Sequence, residues 1–266
     1  MTASALALLR SEAHVSVSSI SCYVRCPEQY RHRYISRTQP THRSSALAFG
    51  SAVHQALAHF YRALMENQPE PSAEELISVF SDAWSRELAS PIPVLFDKSD
   101  SVESLLDCGV GLMKLFHSDA PRPHLVLGVE EPFSVELCDS STGKVFDERL
   151  VGAIDAVVED HNGSARLLEH KTGARKRGFA QDFQGTAYTV VAPLIGLAQA
   201  DVTFQLLVKT KAPALVIETV SFTPADRQDF FHVVTGVLTA IRSGAFFPRR
   251  EWQCRGCPYA GPCLAG

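Results

Sequence analysis

Two acidic residues and a lysine are spaced so that they can serve one site. In Leu150-Val151-Gly152-Ala153-Ile154-Asp155-Ala156-Val157-Val158, strand alternation puts Asp155 on one face with Val151, Ala153 and Val157. A carboxylate on such an apolar face needs a partner, because burying an unpaired charge is costly. The following Leu167-Leu168-Glu169-His170-Lys171 puts Leu167, Glu169 and Lys171 on one face. A turn at His161-Asn162-Gly163-Ser164 joins the two segments as a hairpin, so Asp155 and Glu169 can converge. Close carboxylates repel unless a cation lies between them or one is protonated. Hard oxygen donors of this kind suit Mg²⁺ or Mn²⁺. An ammonium beside them can hold water or stabilise charge developing on a phosphate. The local alternative is a hairpin with a structural Asp–Lys or Glu–Lys ion pair.

The second chemical feature is at the C-terminus. Cys254, Cys257 and Cys263 form C-x2-C-x5-C in a Gly- and Pro-rich stretch. Three close thiols in a reducing compartment point to metal or cluster ligation rather than a disulfide. A fourth ligand is required, and Cys26 and Cys22, one helical turn apart, compete for that place. Four thiolates satisfy zinc or a [4Fe-4S] cluster. Cys108 and Cys138 read as ordinary semi-buried thiols.

The elements that must position these groups follow from periodicity. A short helix begins after Ser18-Ser19 and is broken or restarted at Pro27 before ending near Ile35. Residues 46–66 repeat Val53, Leu57, Phe60, Tyr61 and Leu64 at helical spacing. Further helices are expected over 72–89 and 101–118, separated by Pro91 and Pro93. Strands follow over 124–138, 146–159 and 165–171, then a helix over 181–197, strands over 201–209 and 214–222, and a helix over 225–243. That order predicts an α/β fold on a mixed sheet flanked by helices.

Four features line up in sequence order: Phe49-Gly50-Ser51-Ala52-Val53-His54, Gly152-Ala153-Ile154-Asp155, Glu169-His170-Lys171, and Gln184-Gly185-Thr186-Ala187-Tyr188. Together they resemble the PD-(D/E)XK nuclease superfamily, and within it the RecB-like branch that includes CRISPR spacer-acquisition nucleases. The resemblance covers residues 18 to 263. It implies a restriction-endonuclease-like core over 121–245, a helical N-terminal part over 18–120 and a C-terminal cysteine loop over 246–266, all in one nuclease domain. It implies Mg²⁺ or Mn²⁺ held by His54, Asp155, Glu169 and the main-chain carbonyl of His170, with Lys171 as the catalytic lysine. Gln184 and Tyr188, four apart on one helix face, match the motif that orders the lysine and the DNA. It also implies a [4Fe-4S] cluster, in preference to zinc, on Cys26, Cys254, Cys257 and Cys263, closing the chain ends on each other. The side chain of His170 is open to two readings, strand filler or a polar contact to substrate.

The chain has 266 residues and a net charge of -4, which by itself argues against a uniformly basic nucleic-acid binder. The basic residues are gathered, however. Arg33 and Arg37 lie in one group, Arg175, Lys176 and Arg177 in another, and Arg249 precedes the cysteine loop. These are candidate DNA contacts, while each group could equally be a solvated face. No apolar run reaches a membrane span, no signal peptide is apparent, and a cytoplasmic protein is expected. No G-x-x-x-x-G-K-[ST] motif is present, so unwinding would need a separate helicase. The expected activity is exonucleolytic cleavage of single-stranded or frayed DNA, with a helicase or CRISPR integration protein as possible partner. The competing readings are an idle DNA-binding and assembly subunit, and a zinc-stapled binding protein with a structural hairpin.

Overall fold

Capping side chains set where the helices begin. The structure is a computed structural model that describes residues 13–139, 141–175, 178–197, 200–210 and 212–265. Strand β1 (His14–Val15) leads into α1 (Val17–Arg25), which opens on a Ser16–Ser19 capping box. Extended Cys26 ends α1, and Pro27 opens α2 (Pro27–Tyr30), which runs on as a π-helical turn over Arg31–Ile35. The break expected at Pro27 is present. After β2 (Arg43–Ser44), Ser44 caps α3 (Ser45–Met65). A Ser72–Glu75 box opens α4 (Ala73–Leu88), β3 (Val94–Leu95) pairs with β2, and a Ser101–Ser104 box opens α5 (Val102–Asp119). The meander β4 (Leu125–Asp139), β5 (Lys144–Glu159) and β6 (Ala165–Gly173) follows.

The helix expected over 181–197 is shorter. Helix α6 (Phe183–Val191) gives way to a 3-10 turn over Ala192–Ile195. Pro193 has no N–H to continue the ladder, and Gly196, at φ 88°, ends the turn. Strands β7 (Asp201–Val208) and β8 (Ala214–Val220) precede α7 (Pro224–Arg242), which has a Thr223–Asp226 capping box. The chain closes with a 3-10 turn over Trp252–Gly256 and α8 (Ala260–Ala265).

The main sheet is mixed. β4 lies antiparallel along one edge of β5. The other edge is shared: β1 pairs with it at Arg149 and Leu150, and β6 pairs with it from Ala156 to Glu159. Among the described residues, no strand pairs with that edge from Val151 to Asp155. β7 runs parallel to β6, and β8 antiparallel to β7. Helices cover both faces. One core gathers Ile20, Tyr188, Phe204 and Phe230 between the sheet and α1, α6 and α7. The other gathers Phe49, Leu57, Phe80, Trp84 and Phe116 from α3, α4 and α5 against Ala156, Val158 and Leu168.

Residues 28–42 lie against residues 247–259. Thr41 N–H and its hydroxyl both donate to Pro258 O, at 3.2 and 3.0 Å. His42 Nε2 donates to Gly256 O at 3.1 Å, and Glu28 N–H to Phe247 O at 3.1 Å. The His32 and Tyr259 rings stack at 5.7 Å.

The contact between α4 and α5 is tight at Gly109, where a Cβ would lie 2.0 Å from Phe80 Cζ. Phe80 is fully buried and has nowhere to retreat. Gly109→Val should therefore destabilise the fold by about 1–3 kcal/mol through overpacking. Urea unfolding checks this, and an unchanged midpoint contradicts it.

Candidate active site

β5 and β6 part after the Ala156–Leu168 pair. At that fork the His170 N–H, which would otherwise lack a strand partner, donates to Asp155 Oδ2 at 2.7 Å. The second oxygen, Oδ1, faces His54 Nδ1 from α3 at 3.2 Å. The strict alternation expected through Asp155 does not hold. Ile154 and Val157 both pack in the core beneath α1 and α6, while Ala156 packs in the opposite one. Asp155 therefore stands at the crossing between the faces, not on one apolar face. Held on one edge only, β5 is free to turn there.

Glu169, Lys171, Gln184 and Tyr188 form one network. Lys171 Nζ lies 2.7 Å from Glu169 Oε1 and donates to Gln184 Oε1 at 2.6 Å. Gln184 Nε2 donates to Glu169 Oε2 and to the Tyr188 hydroxyl, both at 2.9 Å. The Tyr188 hydroxyl donates to Glu169 Oε2 at 2.6 Å, with Ala153 O as a second acceptor at 3.0 Å. Gln184 and Tyr188 reach the same carboxylate because they are one turn apart on α6. The Asp182 carboxylate caps that helix, accepting from Gln184 and Gly185 N–H at 3.1 Å each.

Burial and charge set the protonation states. Burial, reinforced by the Asp155 charge, pushes Glu169 up to about 7 despite the pull of Lys171. Burial opposes a charge on His54, but the Asp155 carboxylate outweighs it, with Glu169 adding, and lifts the imidazole to about 9. Burial likewise opposes ionisation of Asp155, yet His54 and the His170 N–H hold its carboxyl below the ordinary value. Burial, then Glu169, pushes the Tyr188 phenol well above its ordinary range, so it remains a donor. Burial pushes His170 down to about 4. Its neutral ring is 2% exposed and stacks on Tyr61 at 5.4 Å, which removes the reading of a polar contact to substrate. Tyr61 in turn donates to Gln205 Oε1 at 3.2 Å. The sequence marked Tyr61 only as a core position; its place seven residues after His54, on the same helix face, was the available signal for this support.

The donors match a hard divalent cation in kind, being two carboxylates and an imidazole Nδ1. Asp155 accepts from the N–H of the residue after Glu169, and the His54 ring lies 6.0 Å from that residue's ring, which puts the three side chains near one another. Among the described residues, however, no three His, Cys, Asp or Glu side chains are gathered closely enough to coordinate an ion as they stand. Each carboxylate instead faces a cation of the protein, Asp155 facing His54 and Glu169 facing Lys171. Coordination requires these partners to be exchanged for the ion. Glu130, on the preceding strand, is ion-paired with Arg62 at 3.2 Å.

Burial first, and the neighbouring thiols Cys26 and Cys254 after it, push the Cys257 and Cys263 thiols up, but among the described residues no three cysteines are gathered closely enough to hold an ion as they stand. Cys22 is buried in the core. Cys138 is exposed, not semi-buried, and Cys108 is half-buried. Arg33, Arg37, Arg175 and Arg249 are all exposed. Arg33 lies over the Tyr34 ring, and Arg249 pairs with Glu251 at 2.8 Å. Lys176 and Arg177 lie outside the described residues.

The fold has a counterpart among solved structures. A crystal structure of a Eubacterium rectale protein named "Putative exonuclease" matches with a TM-score of 0.60 at 13% identity, covering 100% of this chain and 93% of that one. The crystal structure of SSO0001 matches with a TM-score of 0.44 at 15% identity, over 98% of this chain and 91% of that one. No curated protein sequence matches. The profile of the PD-(D/E)XK nuclease superfamily matches residues 14–264. With nearly its whole length matched, and with a mixed sheet flanked by helices, the chain belongs to the PD-(D/E)XK nuclease superfamily.

Proposed function

We propose that this nuclease is a metal-dependent deoxyribonuclease of the RecB-like branch, acting as an exonuclease on single-stranded or frayed DNA ends. The observation that carries the reading is the convergence of Asp155, Glu169 and Lys171 at the β5–β6 fork, with His54 supplied from α3. The structural neighbour's name supports the exonuclease part. His54, Asp155, Glu169 and the His170 carbonyl would hold Mg²⁺ or Mn²⁺. When bound, such an ion supplies a Lewis acid for the phosphate and a more acidic water. Lys171 holds a phosphate oxygen or the attacking water, and Gln184 fixes the ammonium for that task. Tyr188 and Gln184 hold Glu169 in place. His170 contributes its backbone, while its ring anchors β6 against α3.

The reading extends to the chain ends and to the surface. Cys26, Cys254, Cys257 and Cys263 are proposed to hold a [4Fe-4S] cluster, with zinc as the lesser alternative. The C-x2-C-x5-C spacing of the late cysteines supports that donor set. Exposed Arg33, Arg37, Arg175 and Arg249, with Lys176 and Arg177, are proposed to contact the DNA backbone. A helicase or CRISPR integration protein would supply opened DNA in a cytoplasmic setting. No described helix is long and apolar enough to cross a membrane.

Lys171→Ala and Asp155→Asn should each lower Mn²⁺-dependent cleavage of a labelled single strand by about 100-fold or more. Wild-type rates in both would reject the site. In the metal-free protein His54 is protonated below about 9 and Glu169 below about 7. Both must lose that proton to ligate an ion, so Mn²⁺ affinity should rise from about pH 6 to about pH 9 with proton release. Calorimetry in buffers of different ionisation enthalpy reads this directly; a pH-independent affinity contradicts it. Cys257→Ser, purified without oxygen, should lose iron, visible absorption and thermal stability. A variant that keeps all three overturns the cluster.

A further inference from the structure

A cavity of about 510 Å³ lies beside Lys171, bordered by the stretch of β5 that has no partner on that edge. Its volume is typical of a small-molecule site. We propose that it takes the unpaired nucleoside adjoining the phosphate held at Lys171, and so makes single-stranded ends the preferred substrate. The proposal rests on the nuclease reading.

The distribution of charge carries the first part. Among the described residues lining the cavity, Lys171 is the only lysine or arginine, and Gln184 beside it fixes the ammonium. A lysine has three N–H donors. Glu169 and Gln184 engage two of them, which leaves one for a phosphate oxygen. The remaining lining is neutral apart from the Asp182 carboxylate. A second phosphate is disfavoured there, while the hydroxyl and amino groups of a nucleoside are not.

The walls carry the second part. Phe133 and Phe183 line the space with Val17 and Val151. Phe183 is backed by Phe230 at 4.8 Å, and Phe133 meets Tyr188, itself in the lining, at 6.4 Å with the rings nearly perpendicular. Phe133 reaches its place because residue 152 is glycine; a Cβ there would lie 2.5 Å from the ring. Phe133 is only 3% exposed and forms part of the floor, while half-buried Phe183 offers a fixed aromatic face for stacking, which accepts any base. Ser16, Ser18 and Ser21 on α1 add hydroxyls that rotate to donate or accept. Such a lining recognises a nucleoside without reading its sequence. A paired base cannot enter unless it first leaves its stack, so unpaired ends are favoured.

The test uses short phosphorothioate single strands carrying 2-aminopurine at one end or the other, with no divalent metal, so that nothing is cut. Binding to the wild type should quench the terminal fluorophore of at least one probe as its base stacks. Exposed Ser21→Leu, which fills the cavity, and Phe183→Ala, which removes a wall, should each restore fluorescence and weaken binding about 10-fold. A blunt duplex with the fluorophore paired should show no added quenching. Binding of both single strands without quenching, or wild-type quenching in both variants, overturns the proposal. Cleavage of DNA without quenching rejects the cavity alone. Quenching without any Mn²⁺-dependent cleavage leaves the nucleoside site standing and removes the nuclease reading.

Discussion

Two carboxylates buried in one neighbourhood cannot both be charged without positive partners. Asp155 and Glu169 impose that constraint, and the surrounding structure answers it. α3 brings His54 to Asp155, and β6 brings Lys171 to Glu169. Burial, with the Asp155 charge adding, still holds Glu169 up to about 7, while the Asp155 carboxylate outweighs burial and lifts His54 to about 9. α6 contributes Gln184 and Tyr188, whose hydrogen bonds fix the position of the Glu169 carboxyl.

The fork between β5 and β6 gives this electrostatic problem its place in the fold. A sheet that stayed zipped would use the His170 N–H in its ladder. Here that N–H is left for Asp155, and the side chain takes over the role of a strand. The same opening leaves Val151 to Ala153 bordering the cavity beside Lys171. One departure from regular pairing thus serves both the acidic site and the space for a nucleoside. The clasp between residues 28–42 and 247–259 holds α2 against the C-terminal loop, so the cysteine region is tied to the segment that follows α1.

Much of this was legible in the chain. Glu169 and Lys171 were readable because two-residue spacing in a strand gives one face, and Gln184 and Tyr188 because four-residue spacing in a helix does the same. The helices were readable from apolar spacing and their hydroxyl caps. His54 needed the family resemblance, since a single helical histidine carries no periodic signal. The fork was hidden, because alternation does not show where two strands stop pairing. That is why Asp155 was expected on one face and lies between two. Spacing left Cys22 and Cys26 to compete for the fourth thiolate, and tertiary packing buries Cys22 in the core. The cavity was invisible because its walls come from α1, β4, β5 and α6, far apart in sequence.

The proposal that most of the account rests on is a metal ion held by Asp155, Glu169 and His54. Anomalous diffraction from crystals soaked in Mn²⁺ above pH 8 tests it most directly. The account predicts a manganese peak within bonding reach of Asp155, Glu169 and His54 Nδ1, with Lys171 released from Glu169. Manganese bound elsewhere, with both internal ion pairs intact, would contradict it.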